Sequence, residues 1–287
     1  MIIWCASYPK SGNTWLRAII SSLLYTQDGI FNFNLLDKVA QFPSRRQFKD
    51  FTNDYLDYLD LKKICPYWIS AQEKINSDGK LRIFKTHNGN YNIGGNDFTN
   101  KKNTLAAIYI VRDPRNIITS IMHHFSKESY QDAKEFIFDE NRWLGAVKTI
   151  NNKSNDTHFP TLISSWKTHY NSWKIVKKNF LLIKYEELIL NPDNEFKKII
   201  EYLKNLVEVN IDNQKFKRAI EACSFKNLKS IENKSGFVES VLDSESDSKK
   251  NFFNLGPDND WKKLLNKNIR LEIEEKFKDE MVELGYL

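Results

Sequence analysis

Basic and hydroxyl side chains follow the first apolar segment of the chain, in a loop that could bind an anion. Residues 8–15 read YPKSGNTW, and an apolar pattern with helical spacing begins directly after them. A loop that joins a strand to a helix N-terminus points backbone N–H groups outward, and the helix dipole there favours negative charge. The sequence therefore predicts a phosphate-type site whose groups come from Lys10, Ser11, Gly12, Asn13 and Thr14.

This loop is not the usual P-loop of nucleoside triphosphatases. That motif reads GxxxxGK[ST], and its lysine follows the last glycine directly. Lys10 instead comes two residues before Gly12, which is the only glycine of the segment. We therefore expect a related local geometry but no Walker A motif.

A second basic site follows another apolar run. Residues 105–111 read LAAIYIV, the motif RDPRN follows at 112–116, and Ser120 lies eight residues beyond Arg112. Ligands of open α/β sheets gather at the carboxyl ends of the strands, and a guanidinium can hold a phosphate through two hydrogen bonds. Arg112 is therefore predicted to bind a phosphate, with Ser120 two helical turns further along.

A lysine and a histidine end a third segment. Residues 84–87 read FKTH, so Lys85 and His87 lie at the end of a predicted strand. Imidazole exchanges its proton near neutral pH, which suits a general base. The other candidates for this role are His123, His124, His158 and His169. The adjacent pair follows an apolar helix face and indicates a structural role. His169 is interpreted mainly as packing, and a contribution to the acceptor site stays open.

The elements that must position these residues alternate between strand and helix. Apolar runs predict strands over residues 2–7, 81–84, 105–111 and 180–184. Helical spacing predicts helices after Thr14 and Pro114, over residues 160–178, 193–206 and 213–223, and over the last twenty-five residues. Residues 31–75 predict short helices and loops, and the polar run 240–250 predicts a loop. This alternation predicts a single α/β domain over residues 1–287, with a central parallel sheet flanked by helices.

Taken in order along the chain, these motifs resemble those of the cytosolic sulfotransferase family. Residues 8–15 resemble the family's loop for the 5′-phosphosulfate group, and Arg112 and Ser120 match the pair that holds the 3′-phosphate. The resemblance implies a P-loop-like sulfotransferase fold. It also implies transfer of a sulfuryl group from 3′-phosphoadenylyl sulfate (PAPS) to a hydroxyl or amine of a small-molecule acceptor. The nucleotide product is 3′-phosphoadenosine 5′-phosphate (PAP), and no metal is implied.

The resemblance also implies a role for each group in an in-line transfer. Lys10 would stabilise the charge on the leaving phosphate oxygen, and His87 would take the acceptor proton. Lys85 would help to hold the sulfuryl oxygens, and Ser120 would hold Lys10 aside until the acceptor arrives. Tyr185 is implied at the adenine end of the cofactor, and the Phe225 ring is implied to stack on adenine. The further cofactor contacts implied are those of Trp15, Ser224 and Gly256.

Two places depart from the family pattern. The family follows its histidine with Leu-Pro, whereas this chain has Asn88-Gly89, so we expect a different acceptor loop. The Arg-Lys pair that clamps the 3′-phosphate in the family is replaced by Asn254-Leu255. Three interpretations stay open, namely weaker cofactor binding, replacement by Lys249 or Lys250, and a changed donor.

Composition limits the other classes of function. The net charge of +6 is mild and no dense basic tract occurs, so nucleic-acid binding is not predicted. No apolar run reaches the roughly 18 residues of a membrane span. Three distant cysteines without a CxxC spacing fit thiols in a reducing cytoplasm. The family's short dimer motif near the C-terminus is missing, which leaves a homodimer open.

Two alternative functions belong to other classes. A nucleotide-dependent kinase on the P-loop fold would need GK[ST] and a strand-end acidic residue for Mg²⁺, and the sequence shows neither. A non-catalytic relative that binds a nucleotide without turnover would account for the missing Arg-Lys pair.

Overall fold

The apolar run after Met1 forms a strand, β1 (Ile2–Ala6), in which every residue is buried. β-Branched and aromatic side chains favour this conformation, and complete burial means that both faces of the strand are covered. The computed structural model describes residues 1–52, 60–145, 159–176, 179–242 and 249–287.

A four-stranded sheet contains β1. In chain order, the further strands are β2 (Arg82–Thr86), β3 (Asn92–Ile93), β4 (Asn96–Asp97), β5 (Thr104–Val111), β6 (Trp143–Leu144), β7 (Thr161–Leu162), β8 (Phe180–Lys184), β9 (Val241–Leu242) and β10 (Lys249–Lys250). The sheet has the order β2-β1-β5-β8, and β1 runs parallel to both of its neighbours. Ala6 of β1 lies beside Thr86 of β2 and Tyr109 of β5. The remaining strands form short antiparallel pairs.

Helices make up most of the rest of the described chain. The α-helices are α1 (Asn13–Tyr25), α2 (Arg45–Phe48), α3 (Leu61–Ile64), α4 (Trp68–Asn76), α5 (Pro114–His124), α6 (Tyr130–Phe138), α7 (Trp166–Lys174), α8 (Tyr185–Leu190), α9 (Pro192–Lys204), α10 (Asn213–Ala222), α11 (Phe225–Ser235), α12 (Trp261–Leu264), α13 (Lys267–Lys276) and α14 (Lys278–Glu283). Short 3-10 helices span Phe33–Val39, Cys65–Tyr67 and Gly256–Asp258. The short helices predicted between residues 31 and 75 are confirmed for the described part of that segment, which leaves out residues 53–59.

The chain folds into two compact units, each assembled from three segments. The first unit contains Met1–Tyr8, Ala40–Tyr109 and Asp139–Leu182, and the second contains Pro9–Val39, Ile110–Phe138 and Ile183–Leu287. The prediction of a single domain over residues 1–287 stays a prediction.

Aromatic rings around Trp4 form the core of the first unit. The Trp4 ring lies 5.4 Å from Phe42, 5.3 Å from Phe98 and 6.2 Å from Trp173, measured between centroids. All four side chains are completely buried. Edge-on and tilted ring contacts of this kind add to the gain from burial itself. The core therefore fixes β1, and with it the residues that follow β1.

Each strand of the sheet leads directly into one of the predicted motifs. Ser7 follows β1, His87 follows β2, Arg112 follows β5 and Tyr185 follows β8. At the end of β5, Asp113 caps α5 by accepting the Arg115 N–H at 2.9 Å, and Pro114 is the first helical residue. Both are preferred residues at a helix start. The loop after β5 is therefore short and locally specified.

Two predicted helices are wrong in extent. The helix predicted over 160–178 is α7, which begins only at Trp166, because Ser164 has a left-handed φ of 56° and Ser165 caps the helix at Thr168 N. The single helix predicted over the last twenty-five residues is three helices, because Asn266 caps a new start and Phe277 leaves the helical conformation. In the predicted loop 240–250, β9 pairs with β10, and residues 243–248 lie outside the described residues.

Two further findings concern the described helices and the cysteines. None of the helices within the described ranges is both long and apolar enough to cross a lipid bilayer. Cys5, Cys65 and Cys223 are buried free thiols, as their spacing predicted.

Candidate functional site

The loop between β1 and α1 has a backbone that suits anion binding. Lys10 adopts a left-handed φ of 65°, which is uncommon for a residue with a side chain, and Gly12 has a φ of 101°. A Cβ atom on Gly12 would lie 2.5 Å from Cδ2 of Tyr185 and 3.0 Å from Cδ1 of Ile110. Only glycine fits this position, because both the conformation and the close approach exclude a larger residue. Asn13 and Thr14 then begin α1, and both are buried.

Arg112 joins this loop to the second motif. Its Nη1 atom donates to the carbonyl oxygen of Lys10 at 3.0 Å, and its guanidinium carbon lies 4.2 Å from the centre of the Tyr185 ring. The Trp15 ring meets Tyr185 edge-on at 5.7 Å. Burial raises the pKa of Tyr185, and the nearby Arg112 charge opposes that rise. The second unit thus brings together four predicted site residues, namely Lys10, Trp15, Arg112 and Tyr185.

Three hydrogen-bond donors in and beside this cluster are buried and unsatisfied. Ser11 Oγ, Trp15 Nε1 and Arg112 Nε have no hydrogen-bond partner within the part of the chain that the structure describes. Leaving a buried polar group without a partner costs about 1–3 kcal/mol, and more when the group is charged. Ser11 Oγ and Arg112 Nε are donors for which an anionic group is an acceptor, so these residues fit the phosphate groups of the predicted cofactor.

An aromatic cluster that the sequence did not point to lies beside Lys10. Lys10 Nζ lies 4.1 Å above the Phe252 ring, a distance at which a cation is attracted to the face of the ring. Phe252 contacts Phe237 at 5.1 Å, and Phe237 stacks on Phe33 at 4.3 Å. The apolar pair Phe252-Phe253 in a polar stretch was the signal that could have found this cluster. Phe252 is therefore one of the contacts of the Lys10 ammonium.

Ser224, Phe225 and Gly256 form a second group of predicted site residues. Ser224 caps α11 by accepting the Asn227 N–H at 3.3 Å. Gly256 has a φ of 55°, and a Cβ atom there would lie 2.3 Å from Cζ of Phe225. The backbone at Gly256 therefore passes directly against the Phe225 ring. Phe225 also meets Phe253 at 6.0 Å, which connects this group to the aromatic cluster.

The segment from Asn251 to Trp261 is fastened along one face of α5. His123 Nε2 donates to the Asn251 carbonyl at 3.1 Å, and Thr119 Oγ1 donates to Asn259 Oδ1 at 2.5 Å. Asn116 Oδ1 accepts the Trp261 N–H at 2.9 Å. Positions 116, 119, 120 and 123 share one helix face, so Ser120 lies on the face that carries this segment.

Arg115 has a structural role. Its guanidinium donates to both carboxylate oxygens of Asp113, to Glu274 Oε1 at 2.5 Å and to the Tyr286 carbonyl at 2.7 Å. The Trp261 ring lies 3.9 Å below it. Arg115 is 5% exposed, so these partners compensate a charge that is withdrawn from water. Arg115 therefore holds the loop after β5 in place. Of the two arginines in the motif at 112–116, Arg112 is then the candidate for binding a ligand.

His87 belongs to the first unit, where Ser7 fixes its tautomer. Nδ1 lies 2.8 Å from the Ser7 carbonyl oxygen and 3.2 Å from Ser7 Oγ. A carbonyl oxygen only accepts, so Nδ1 carries the hydrogen in the neutral ring. Nε2 is then the unprotonated nitrogen of His87, as a general base requires.

His169 positions His87 and does not titrate near neutral pH. Its Nε2 donates to the His87 carbonyl at 3.0 Å, and its Nδ1 accepts from the Tyr109 hydroxyl at 2.8 Å. Complete burial lowers the pKa of His169 to about 3. The side chain is therefore a neutral support for the strand-end loop. This result refines its interpretation as mainly a packing residue.

Asn88 and Gly89, which stand where the family has Leu-Pro, each have a structural role. Asn88 is completely buried, its Oδ1 accepts the Leu162 N–H at 3.0 Å, and its Nδ2 donates to the Gly89 carbonyl at 2.7 Å. A Cβ atom on Gly89 would lie 2.0 Å from the Tyr91 ring. Lys85, the other predicted residue of this strand end, is buried, and its backbone pairs with Ala40 and Phe42. The loop after His87 is therefore built on an amide in place of Leu-Pro.

Comparison with known proteins identifies the family of this chain. A model of the sulfotransferase domain matches residues 2–285. Flavonol 3-sulfotransferase of Flaveria bidentis is 24% identical over 285 residues, covering 98% of this chain and 78% of that protein. Cytosolic sulfotransferase 9 of Arabidopsis thaliana is 25% identical over 291 residues, covering 95% and 77%.

Solved structures share the fold. Mouse sulfotransferase SULT7A1 complexed with PAP has a TM-score of 0.61 at 22% identity, covering 98% of this chain and 84% of that chain. Retinol dehydratase in a complex with retinol and PAP has a TM-score of 0.59 at 16% identity, covering 98% and 81%.

The fold and the match over almost the whole chain define a sulfotransferase. The chain belongs to the sulfotransferase domain family, which confirms the predicted enzyme class and the α/β fold with its parallel sheet. Among the described residues, no group of three or more His, Cys, Asp or Glu side chains is arranged to hold a metal ion, and metal-free chemistry stays a prediction. The roles of the individual site residues are likewise predictions.

Proposed function

We propose that this sulfotransferase transfers the sulfuryl group of PAPS to a hydroxyl or amine of a small-molecule acceptor and releases PAP. The observation that carries the proposal is the hydrogen bond from Arg112 to the Lys10 carbonyl, because it unites the two motifs implied to bind the cofactor phosphates. When bound, PAPS supplies an activated sulfuryl group on its 5′-phosphate. The unsatisfied Ser11 Oγ and Arg112 Nε support the presence of an anion at this loop.

Different residues act on the leaving phosphate oxygen and on the acceptor. Lys10 stabilises the negative charge that develops on the 5′-phosphate oxygen as its bond to sulfur breaks. Preorganised charge of this kind is commonly the largest single contribution to catalysis. His87 Nε2 accepts the acceptor proton as the new bond to sulfur forms. Lys85 binds the sulfuryl oxygens, and Ser120 holds Lys10 until the acceptor is present.

Acceptor and location are proposed from relatives. One relative is named a flavonol sulfotransferase, and one solved structure of this fold contains retinol, so we propose a ring-bearing or apolar acceptor with a nucleophilic oxygen or nitrogen. Several relatives are named cytosolic sulfotransferases. Three free thiols suit a reducing compartment, and we propose that the enzyme acts in the cytoplasm.

The test follows radiolabelled sulfur from PAPS to a panel of phenols, alcohols and amines. We expect Lys10→Ala and His87→Ala each to lower turnover at least a hundredfold, as losses of an anion-stabilising group or a general base do. His87→Ala should keep its affinity for PAP. Lys101→Ala, which removes an exposed lysine from the first unit, is the control for loss of one charge and should be unchanged.

Near-normal turnover in either active-site variant would remove that residue from its role. Tight PAP binding without transfer to any acceptor would favour the non-catalytic alternative. Mg²⁺-dependent phosphoryl transfer from ATP would favour the kinase.

A further inference from the structure

The backbone carbonyl of Asn254 accepts a hydrogen bond from a cationic side chain of another element, α11. Lys229 Nζ donates to the Asn254 carbonyl oxygen at 2.9 Å. Asn254-Leu255 is where this chain lacks the family's Arg-Lys pair. A lysine ammonium has three donors, and the Asn254 carbonyl takes one of them. A positive charge is therefore present at the site of the missing pair, although it comes from α11.

Lys229 lies on the same face of α11 as Phe225. The two residues are four positions apart, which makes them neighbours on a helix surface. Lys229 Nζ lies 5.9 Å from the centre of the Phe225 ring. The Gly256 backbone passes against the same ring. The ammonium, the ring and the loop from Asn254 to Gly256 thus form one cluster.

The same loop is fastened near Ser120. Its two flanks are bound to α5 by His123, through the Asn251 carbonyl, and by Thr119, through Asn259. Asn254 lies between those two attachments in sequence, and Ser120 lies between Thr119 and His123 on the helix face. The Lys229 ammonium is therefore held by the segment that runs along the helix carrying the predicted phosphate serine.

Of the two lysines considered from sequence, Lys250 is placed differently, and the side chain of Lys249 lies outside the described part of the structure. Lys250 Nζ donates to Ser126 Oγ at 3.1 Å, beyond the last residue of α5. That contact anchors the Lys250 ammonium two residues past the helix, whereas Lys229 contacts Asn254 itself.

We propose that Lys229 supplies the positive charge that binds the 3′-phosphate of the cofactor, in place of the absent Arg-Lys pair. This inference rests on the proposed function, because it assumes a nucleotide with a 3′-phosphate. It assigns to α11 a binding residue that the family motif places in the loop before α12.

Calorimetry with two nucleotides tests the inference on the full chain. PAP carries the 3′-phosphate, and adenosine 5′-phosphate (AMP) lacks it. We expect Lys229→Met, which keeps the aliphatic stem on Phe225, to lower PAP affinity at least tenfold, or about 1.4 kcal/mol, and to change AMP affinity less than twofold. Lys229→Arg should retain most of the PAP affinity.

Lys234→Met, on the exposed last turn of α11, is the matched control and should bind both nucleotides normally. If Lys229→Met does not fold, Lys229→Gln replaces it. A parallel loss of PAP and AMP affinity, or no loss of either, overturns the inference. So does a selective loss of PAP affinity in Lys250→Met while Lys229→Met is normal.

The wild-type protein separates this inference from the proposed function. Failure of the wild type to bind PAP contradicts the proposed function. A wild type that prefers PAP to AMP at least tenfold, with that preference intact in Lys229→Met, contradicts only the role of Lys229.

Discussion

Thr14 donates its Oγ1 hydroxyl to Oε2 of Glu239 in a hydrogen bond of 2.8 Å. The other carboxylate oxygen of Glu239 accepts from Arg17 Nη1 at 2.6 Å, and Arg17 also donates to the carbonyls of Leu36 and Val39. A negative charge is thus bound to a hydroxyl in the first turn of α1, which the predicted phosphate-type site would offer to the cofactor. An anionic ligand must either displace this carboxylate or bind beside it against charge repulsion.

Glu239→Gln should therefore bind PAP more tightly. A unit charge at short range near a protein surface contributes on the order of 1 kcal/mol or more, which is about fivefold in affinity. The free energy of unfolding should fall by about 1 kcal/mol, because Arg17 loses an ionic partner but keeps two carbonyl acceptors. Calorimetry and urea unfolding measure the two effects. Glu275→Gln, on the exposed side of α13, is the control, and weaker PAP binding in Glu239→Gln would contradict the argument.

Gly256→Ala should damage cofactor binding through the Phe225 ring. The added methyl group would overlap the ring, so Phe225 must move. Gly79→Ala is a matched control, because Gly79 also has a positive φ, of 70°, but no atom lies within 4 Å of the added Cβ. Both variants should lose about 1 kcal/mol of stability from backbone strain. Only Gly256→Ala should also lose PAP affinity, by at least tenfold, and equal affinities in the two variants would refute the role of the ring.

The pH dependence of stability should report the burial of His169. Its folded pKa of about 3 lies below the ordinary value of 6.5, so the unfolded chain takes up the proton first as the pH falls. Stability that is fully present above pH 6.5 is therefore lost below it, by up to about 1.4 kcal/mol per pH unit until the folded state titrates. His169→Gln keeps a donor for His87 and an acceptor for Tyr109 but cannot titrate. Urea unfolding from pH 7.5 to 4.5 should show a smaller loss of unfolding free energy in the variant than in the wild type. An equal loss in the two proteins would argue against a buried neutral imidazole.

Restoring the family residue after His87 should destabilise this chain. Asn88→Leu removes the acceptor of the Leu162 N–H and the donor to the Gly89 carbonyl, and it buries leucine where an amide is needed. We expect a loss of about 2 kcal/mol in the free energy of unfolding. Asn141→Leu replaces an exposed asparagine of the same unit and should change it little. An unchanged or raised stability in Asn88→Leu would mean that the loop can repack.

Local patterns predicted the elements and motifs that depend on neighbours in sequence. The strand at 180–184 and the loop that begins at Tyr8 follow from an apolar run and from turn residues, and the structure has both, with α1 beginning at Asn13. The helix at 160–178 was overextended because the left-handed Ser164 gives no signal in hydrophobic spacing. The contacts of Glu239 and Lys229 could not be predicted for a different reason. Thr14 and Glu239 are 225 positions apart, and no local pattern encodes that contact.

The network around Arg115 can form only late in the synthesis of the chain. Arg115 leaves the ribosome 159 residues before Glu274 and 171 residues before Tyr286, two of the groups that compensate its buried charge. At ordinary rates of synthesis that interval is roughly 10–30 s. Until then the loop beside Arg112 lacks its final support. The support of this loop is therefore completed only after the segment that contains Glu274 and Tyr286 has been made.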